Sequence, residues 1–265
     1  MDTDVQRQKE ATEQLRIGSN WEANVEVPAA SADRKHIPSA TLIRRELGNG
    51  GVLCVRLVGA PGSGKTSLIE AALRYCNPPL RAVHLLLNSN SENHVIRFSK
   101  SDVRSLLIEN DLPKALAVWR AISQLRLGDL DIILLEERGG RTPLLDLGQD
   151  ATVAVVSITD SDNAAAQYRS MIEIASVVVL TKKDRLPLVE FDARKFSGDV
   201  RSINAEALLH ELSAINGMGV THFVNWLQDM QKQKRGLDSM FGTKDQVPAE
   251  LLSLRKEIGL RFETI

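Results

Sequence analysis

Cysteine is scarce in this chain, which contains two cysteines among 265 residues. Cys54 lies inside an apolar run, and Cys76 lies at the end of a helical pattern. Two such cysteines provide neither the disulfide framework of a small secreted domain nor a C-x-x-C metal clip. We therefore expect both thiols to be buried as small apolar side chains.

The chain also has almost no net charge and no long apolar runs. Its 33 Lys and Arg residues nearly balance its 34 Asp and Glu residues, so no field favours nucleic acid or an anionic membrane as the main partner. The first residues, 1–10, are mostly polar or charged and do not resemble a signal peptide, and no apolar run is long enough to span a bilayer. We expect a cytoplasmic protein without nucleic-acid or membrane partners.

What the sequence does contain is a candidate phosphate-binding loop. Residues 59–66 (GAPGSGKT) fit the pattern G-x-x-x-x-G-K-[ST], between an apolar run at 52–58 and a helical pattern at 68–76. In a strand–loop–helix of this kind, backbone N–H groups surround the β-phosphate, the lysine neutralises phosphate oxygens, and the final hydroxyl binds Mg²⁺. An ordinary glycine turn is the alternative. The expected phosphate contacts are Gly59, Pro61, Gly62, Ser63, Gly64, Lys65, Thr66 and Ser67, with Lys65 also acting in catalysis and Thr66 binding Mg²⁺.

Apolar runs and helical patterns alternate along the rest of the chain. Strands are predicted at 80–87, 131–135, 151–158 and 177–180, and helices at 39–47, 103–108, 115–125 and 164–175. Repeated strand–helix units predict an α/β fold of the P-loop NTPase type, with a mostly parallel sheet and helices on both faces. Ligands of such sheets bind at the carboxyl ends of the strands. The tips of the predicted strands are therefore where we expect the functional residues.

A second motif follows the strand predicted at 177–180. Residues 181–184 (TKKD) fit the guanine-binding pattern [NT]-K-x-D. The Asp184 carboxylate can accept from guanine N1–H and N2–H₂, whereas adenine has no N1 donor and would leave that acceptor unpaired, at about 1–3 kcal/mol. Thr181 begins the motif, and Lys182 would lie along the base plane. A solvated Lys-Lys-Asp turn is the alternative.

A third loop, at 212–219 (LSAINGMG), is similar to the Ser-Ala loop of GTPases. In that loop the backbone N–H at the alanine position, here Ala214, contacts guanine O6, and Ser213 precedes it. Three loops in this order favour GTP or GDP, together with Mg²⁺, as the ligand.

We predict three regions along the chain. Residues 1–38 are polar, without sustained periodicity, and are expected to form a mobile arm. Residues 39–234 would be the P-loop domain. Residues 235–265 would form a tail with a short amphipathic helix that begins at Pro248, whose apolar stripe packs on the domain or on a partner.

One stretch of the chain carries a family resemblance without an evident gap: Leu180, Thr181-Lys182-Lys183-Asp184-Arg185-Leu186-Pro187, Phe191-Asp192, Ser213-Ala214 and Asn225-Trp226-Leu227. From about residue 52 to residue 227 the chain resembles the hydrogenase nickel incorporation GTPases (HypB), SIMIBI-class P-loop proteins related to the urease and methylmalonyl-CoA mutase GTPase chaperones. The resemblance implies a helix at 192–203, a last strand at 207–212 and a closing helix at 220–232. We further expect nucleotide-dependent docking or homodimerisation, and a protein client in the hydrogenase maturation machinery.

The chain departs from the family pattern mainly in its metal ligands. Members often begin with a cysteine-rich nickel motif, but residues 1–38 contain no cysteine and only His36. Members carry a Cys-His pair in the switch region, but the corresponding place near Asp111-Leu112 has neither residue. His84 and His94 have no Cys or carboxylate partner at ligand spacing, so we do not expect them to bind a metal. We expect nucleotide binding without nickel binding through the usual ligands.

Asn88 stands where the family has an aspartate associated with Mg²⁺ and water activation. An amide oxygen can coordinate a metal but cannot accept a proton as a carboxylate does, so we predict slow hydrolysis. Glu136 is the preferred substitute, facing Mg²⁺ or the attacking water; Glu137 is either a second candidate or a surface charge paired with Arg138 or Arg141. Gly139 is expected to sense the γ-phosphate through its backbone N–H. Asn88 and Glu136 are thus candidate catalytic and metal-binding residues.

The sequence therefore predicts a GTP-binding, slowly hydrolysing switch or chaperone protein that assists metalloenzyme assembly. The main alternative is a pseudo-GTPase adaptor that binds nucleotide for structure and works through protein contacts. A small-molecule kinase would need a substrate pocket with basic anchors, and the guanine loops argue against it. A metallochaperone that uses other ligands is a further alternative.

Overall fold

A computed structural model describes residues 39–87, 103–108, 112–137, 145–161 and 163–241. All of these residues belong to one compact unit, Ser39–Lys244, of the two into which the chain divides. The predicted arm and the helix expected from Pro248 lie outside the described residues.

The described helices are α1 (Ala40–Asn49), α2 (Lys65–Tyr75), α3 (Lys114–Ser123), α4 (Ala164–Gln167), α5 (Arg169–Glu173), α6 (Ala193–Ile203) and α7 (Val220–Phe241). The described strands are β1 (Leu53–Val58), β2 (Ala82–Leu87), β3 (Arg104–Ile108), β4 (Ile132–Glu137), β5 (Ala151–Ser157), β6 (Val177–Thr181) and β7 (Leu208–Glu211). Short 3₁₀ segments occur at Leu127–Asp129 and Lys183–Leu188. Among these helices, none is long and apolar enough to cross a membrane.

In this part of the chain the strands form one seven-stranded sheet in the order β3-β2-β4-β1-β5-β6-β7. Every neighbouring pair is parallel. All carboxyl ends therefore lie at the same edge of the sheet, and the chain segments that follow the strands meet there. The predicted α/β fold with a parallel sheet is confirmed.

Helices cover both faces of the sheet, as predicted. Alternate residues of β1 (Leu53, Val55 and Leu57) pack in a core with α2 and α7, which contributes Phe223. On the opposite face, residues of β5 and β6 pack against α4, α5 and α6. Because the central strands are buried on both faces, their sequences are continuous apolar runs rather than alternating ones.

Local signals explain where two of the helices begin. The Ser39 side chain accepts from Leu42 N at 3.3 Å and caps α1. The Asp192 side chain accepts from Arg194 N at 3.0 Å and Lys195 N at 2.9 Å and caps α6. Each capping residue satisfies backbone donors that have no partner within the helix. These caps place the observed starts within one residue of the predicted ones.

One predicted element has the wrong type. The sequence predicts a helix at 103–108, but Arg104–Ile108 is β3, an edge strand paired with β2. A run of only six residues is too short for periodicity to separate a strand from a helix, and pairing with the open edge of β2 decides between them. Long-range pairing therefore determines this segment.

Two helices differ in extent from the prediction. The helix predicted at 164–175 is divided into α4 and α5 around Tyr168, whose φ of −106° and ψ of 21° leave the helical region. The closing helix runs to Phe241 rather than to residue 232. Lys234 and Arg235 form ion pairs with Asp150 and Asp131, so tertiary contacts hold the last turns of α7 in place.

Candidate functional site

The phosphate-binding loop joins β1 to α2 at the carboxyl edge of the sheet. Gly62 and Gly64 have φ angles of +78° and +99°, which side-chain-bearing residues rarely adopt. A Cβ atom at Gly59 would lie 2.3 Å from the Val155 carbonyl oxygen, so only glycine fits where the loop leaves the sheet. The backbone thus requires the glycines that the motif contains.

The loop presents an open outer side and a buried inner side. Pro61 and Gly62 are exposed, and a Cβ atom at Gly62 would meet nothing within 4 Å. Ser63 and Lys65 are buried, and Ser67 is half-buried in the first turn of α2. The Lys65 Nζ donates to the carbonyl oxygens of Gly59 at 2.9 Å and Ala60 at 3.0 Å. Its charge therefore lies within the curve of the loop, where a phosphate chain would need it.

Thr66 and Glu136 meet beside this loop. The Thr66 hydroxyl lies 2.9 Å from Glu136 Oε1 and 3.0 Å from Oε2, and Glu136 at the end of β4 is 2% exposed. Burial raises the pKa of the Glu136 carboxyl, but His84, Thr66 and the charge of Lys65 outweigh burial and lower that pKa. A hydroxyl beside an ionised carboxylate is the hard oxygen set that Mg²⁺ prefers, so these residues fit that ion.

The end of β6 contacts the phosphate loop directly. The Thr181 hydroxyl donates to the Ser63 carbonyl oxygen at 2.5 Å and lies 3.2 Å from the Val156 carbonyl oxygen. Lys182 follows with a φ of +61°, which turns the chain away from the strand direction. The two motifs predicted to hold the phosphates and the base are therefore neighbours.

The TKKD segment also contacts the predicted Ser-Ala loop. Lys183 N donates to the Leu212 carbonyl oxygen at 3.1 Å, and the Ser213 hydroxyl donates to Asp184 Oδ1 at 2.5 Å. Ser213 is buried, whereas Asp184 and Ala214 are half-buried. The hydroxyl orients the carboxylate and leaves its second oxygen for another donor.

The structure brings most of the predicted site residues to one edge of the sheet, in two adjoining groups. The first is the loop 59–67 with Glu136, and the second is Thr181, Lys182, Asp184, Ser213 and Ala214. Asn88, Gly139 and His94 lie outside the described residues. The roles of all these residues toward a nucleotide stay predictions.

Sequence reasoning missed the surroundings of Glu137. This residue is 1% exposed and pairs with Arg56 and Lys114, with Arg56 Nε donating to Glu137 Oε2 at 3.0 Å. It is therefore not a surface charge. The available signal was Arg56 itself, a charged residue within a continuous apolar strand, which needs a buried partner.

Sequence reasoning also missed a contact of His84. Its Nε2 lies 3.2 Å from Glu136 Oε2, although the two residues are 52 positions apart in the sequence. Within the described ranges, no three His, Cys, Asp or Glu side chains come together as a metal site.

Known proteins share both the sequence pattern and the fold. The hydrogenase maturation factor HypB of Escherichia coli K12 is 28% identical over 181 residues, which cover 66% of this chain and 62% of that protein. The chain thus spans less than two thirds of the length of this relative. A probable hydrogenase maturation factor HypB of Methanocaldococcus jannaschii is 26% identical over 181 residues, which cover 66% of this chain and 82% of that protein.

Two solved structures have the same fold. HypB from Archaeoglobus fulgidus gives a TM-score of 0.67 at 24% identity, over 76% of this chain and 100% of that one. HypB from Helicobacter pylori, solved in complex with nickel, gives a TM-score of 0.68 at 18% identity, over 74% of this chain and 94% of that one. The family described as "CobW/HypB/UreG, nucleotide-binding domain" matches residues 52–211, more than half of the chain. The chain therefore belongs to the CobW/HypB/UreG nucleotide-binding domain family.

Proposed function

We propose that the chain binds a guanine nucleotide with Mg²⁺, hydrolyses GTP slowly, and acts as a switch in the assembly of a metalloenzyme. One observation carries the proposal: Thr181 contacts Ser63 while Ser213 contacts Asp184. These contacts connect the loop suited to phosphates with the carboxylate suited to guanine. A single nucleotide can therefore reach both.

Guanine selection is assigned to Asp184. The Ser213 hydroxyl occupies Oδ1 and fixes the carboxylate plane, so the free lone pairs face a defined direction. Guanine supplies adjacent N1–H and N2–H₂ donors, whereas adenine would leave the charged acceptor without a donor. Lys182 Nζ lies 3.1 Å from Thr159 Oγ1, which holds its aliphatic stem beside the site.

Phosphate and Mg²⁺ binding are assigned to the other half of the site. Lys65 neutralises the phosphate oxygens, Thr66 coordinates Mg²⁺, and Glu136 holds Mg²⁺ or the attacking water. Mg²⁺ supplies charge neutralisation between the phosphates when it is bound. Hydrolysis is slow because Asn88 offers an amide where a proton acceptor is needed. The backbone N–H of Gly139 would sense the γ-phosphate and so couple the nucleotide state to the order of its loop.

The cellular role follows from the relatives, which are named hydrogenase maturation factors. The client would be a component of hydrogenase maturation in the cytoplasm, contacted through nucleotide-dependent docking or homodimerisation. Nickel would not be held through the usual Cys and His ligands, because the sequence lacks them at the expected places.

Competition for fluorescent GDP tests the nucleotide assignment. We expect GDP to bind at least tenfold more tightly than ADP, since an unpaired acceptor costs about 1–3 kcal/mol and a charged one such as Asp184 costs more. Asp184→Asn should remove this preference and favour xanthosine diphosphate, whose O2 accepts from an amide. The control is Asp199→Asn, which changes an exposed carboxylate on α6. Equal affinity of the unaltered protein for GDP and ADP would contradict the proposal.

A second candidate, the adaptor that binds nucleotide without turnover, is favoured by the amide at Asn88. Single-turnover hydrolysis of bound GTP separates the two candidates. If the unaltered protein releases phosphate and Lys65→Ala does not, the slow GTPase is supported. If the unaltered protein releases no phosphate, the adaptor is supported.

A further inference from the structure

His84 lies on the face of the sheet that carries Glu136. It is fully buried in the middle of β2, within the otherwise apolar sequence AVHLLL. In the sheet register His84 is opposite Ser105 of β3 on one side and opposite Leu134 of β4 on the other. Glu136 follows Leu134 by two residues and therefore points to the same face. The imidazole is thus placed diagonally beside the carboxylate.

Both ring nitrogens have polar neighbours. Nδ1 lies 2.8 Å from Ser105 Oγ, and Nε2 lies 3.2 Å from Glu136 Oε2. A neutral imidazole has one donor and one acceptor, and an ionised carboxylate can only accept. The nitrogen that faces the carboxylate, Nε2, therefore carries an N–H, while the Ser105 hydroxyl is the partner of Nδ1. A hydroxyl can donate to Nδ1, so the serine is compatible with the tautomer that the carboxylate requires.

These contacts form a continuous chain from the edge strand to the phosphate loop. Ser105 contacts His84, His84 contacts Glu136, and Glu136 contacts the Thr66 hydroxyl. A glutamate has three rotatable bonds, and confining them to one arrangement costs conformational entropy. His84 limits that freedom on one side of the carboxylate, and Thr66 limits it on the other.

From this arrangement we infer that His84 is a positioning residue, which holds the Glu136 carboxylate in the orientation needed to bind Mg²⁺ beside Thr66. The inference rests on the proposed function, in which Glu136 and Thr66 serve Mg²⁺. Packing alone does not require an imidazole here, since the flanking positions of β2 are filled by valine and leucine. A polar group in such a strand needs partners, and one of the partners found is the candidate ligand Glu136. Outer partners of metal ligands typically change metal affinity by about 10–100-fold.

The test measures how Mg²⁺ slows the release of fluorescent GDP, which needs no turnover. For His84→Leu we expect the Mg²⁺ concentration at half effect to rise about tenfold or more, with GDP affinity in EDTA within about twofold. His84→Gln should recover part of the loss, because its amide can donate in place of Nε2. Ser105→Ala should give a smaller rise, about threefold. His210→Leu, a matched change on β7, should leave the Mg²⁺ dependence unaltered.

Glu136→Gln distinguishes a failure of the positioning role of His84 from a failure of the proposed role of Glu136. If this variant shifts the Mg²⁺ dependence and the His84 variants do not, the positioning role is wrong and the proposed function stands. If Glu136→Gln leaves the Mg²⁺ dependence unaltered, the proposed role of Glu136 is wrong, and the role of His84 is wrong with it. Should His84→Leu fail to fold, His84→Gln and Ser105→Ala decide, and an unaltered Mg²⁺ dependence in both overturns the inference. In the double variant His84→Gln/Glu136→Gln, we expect no loss beyond Glu136→Gln alone.

Discussion

Glu136 and Glu137 are neighbours in sequence, end the same strand and are both at most 2% exposed, yet their surroundings differ. Successive residues of a strand point to opposite faces, so Glu136 faces the phosphate loop and Glu137 faces the other layer. Glu136 meets a hydroxyl and an imidazole. Glu137 meets the charged groups of Arg56 and Lys114.

The difference separates a carboxylate suited to a ligand from one that stabilises the fold. The contacts of Glu136 are a hydroxyl and an imidazole, beside which its carboxylate can still bind a metal ion. The partners of Glu137 are a fully buried guanidinium and a lysine ammonium, which together neutralise it. A buried ion pair contributes little against an apolar replacement, but breaking it leaves an uncompensated charge in the interior.

The largest expected effect comes from breaking the Glu137 cluster on one side only. Glu137→Leu leaves the Arg56 guanidinium buried without its carboxylate, and we expect a loss of about 3–5 kcal/mol in the free energy of unfolding. The double variant Arg56→Met/Glu137→Leu should recover most of that loss, because Lys114, with 22% of its side chain exposed, can turn to solvent. Urea unfolding of the two variants gives both values.

Glu136→Gln is the matched control on the other face, with an expected change of about 1 kcal/mol in the free energy of unfolding. Equal losses for Glu136→Gln and Glu137→Leu would contradict the distinction between the two glutamates. So would a double variant that is less stable than Glu137→Leu alone.

The sequence alone predicted the segments of the candidate site that meet at the carboxyl edge of the sheet, but not the side-chain environment around them. The loop at 59–66 and the segment at 181–184 could be predicted, because their chemistry depends on short-range order and glycine geometry. The partners of Glu137 could not, because Arg56 lies 81 positions away and reaches it only through the pairing of β1 with β4. The contact of His84 with Glu136 could not be predicted for the same reason.

The fold shows the same division. The buried strands β1, β4, β5 and β6 were predicted because each is a continuous apolar run between turn signals. Residues 103–108 were assigned to a helix because six residues carry too little periodicity, and only the hydrogen bonds to β2 make Arg104–Ile108 a strand. The length of α7 depended likewise on Lys234 and Arg235, whose partners are distant in sequence.

A third carboxylate, next to the amino end of β4, provides a partly exposed comparison. Burial raises the pKa of Asp131, but hydrogen bonds from Arg81 and the charge of Arg235 outweigh burial and lower it. Its folded pKa therefore lies below the unfolded value, so its contribution is present above about pH 4 and is lost as the pH falls further. About half of each arginine side chain is exposed, so we expect Asp131→Asn to cost about 1–2 kcal/mol at pH 7. In urea unfolding from pH 7 to pH 3, the free energies of unfolding of the variant and the unaltered protein should converge at low pH. A difference that stays constant with pH would contradict a lowered pKa of Asp131.

The smallest expected effect uses the two cysteines as reporters of the two faces. Cys54 shares with Arg56 one face of β1, and burial, followed by the charge of Asp150, raises its pKa to about 12. Cys76, whose pKa is raised chiefly by burial, belongs to the core between the sheet, α2 and α7. Lys114→Met removes only the partly exposed partner of Glu137, and we expect it to lower the free energy of unfolding by less than about 1 kcal/mol. Because labelling of a buried thiol requires opening around it, Cys54 should react about threefold faster with a thiol reagent and Cys76 at an unaltered rate. Lys195→Met, on the surface of α6, is the control and should change neither rate. If Lys114→Met accelerates both thiols equally, the two faces open together, and Glu137 does not stabilise its own face alone.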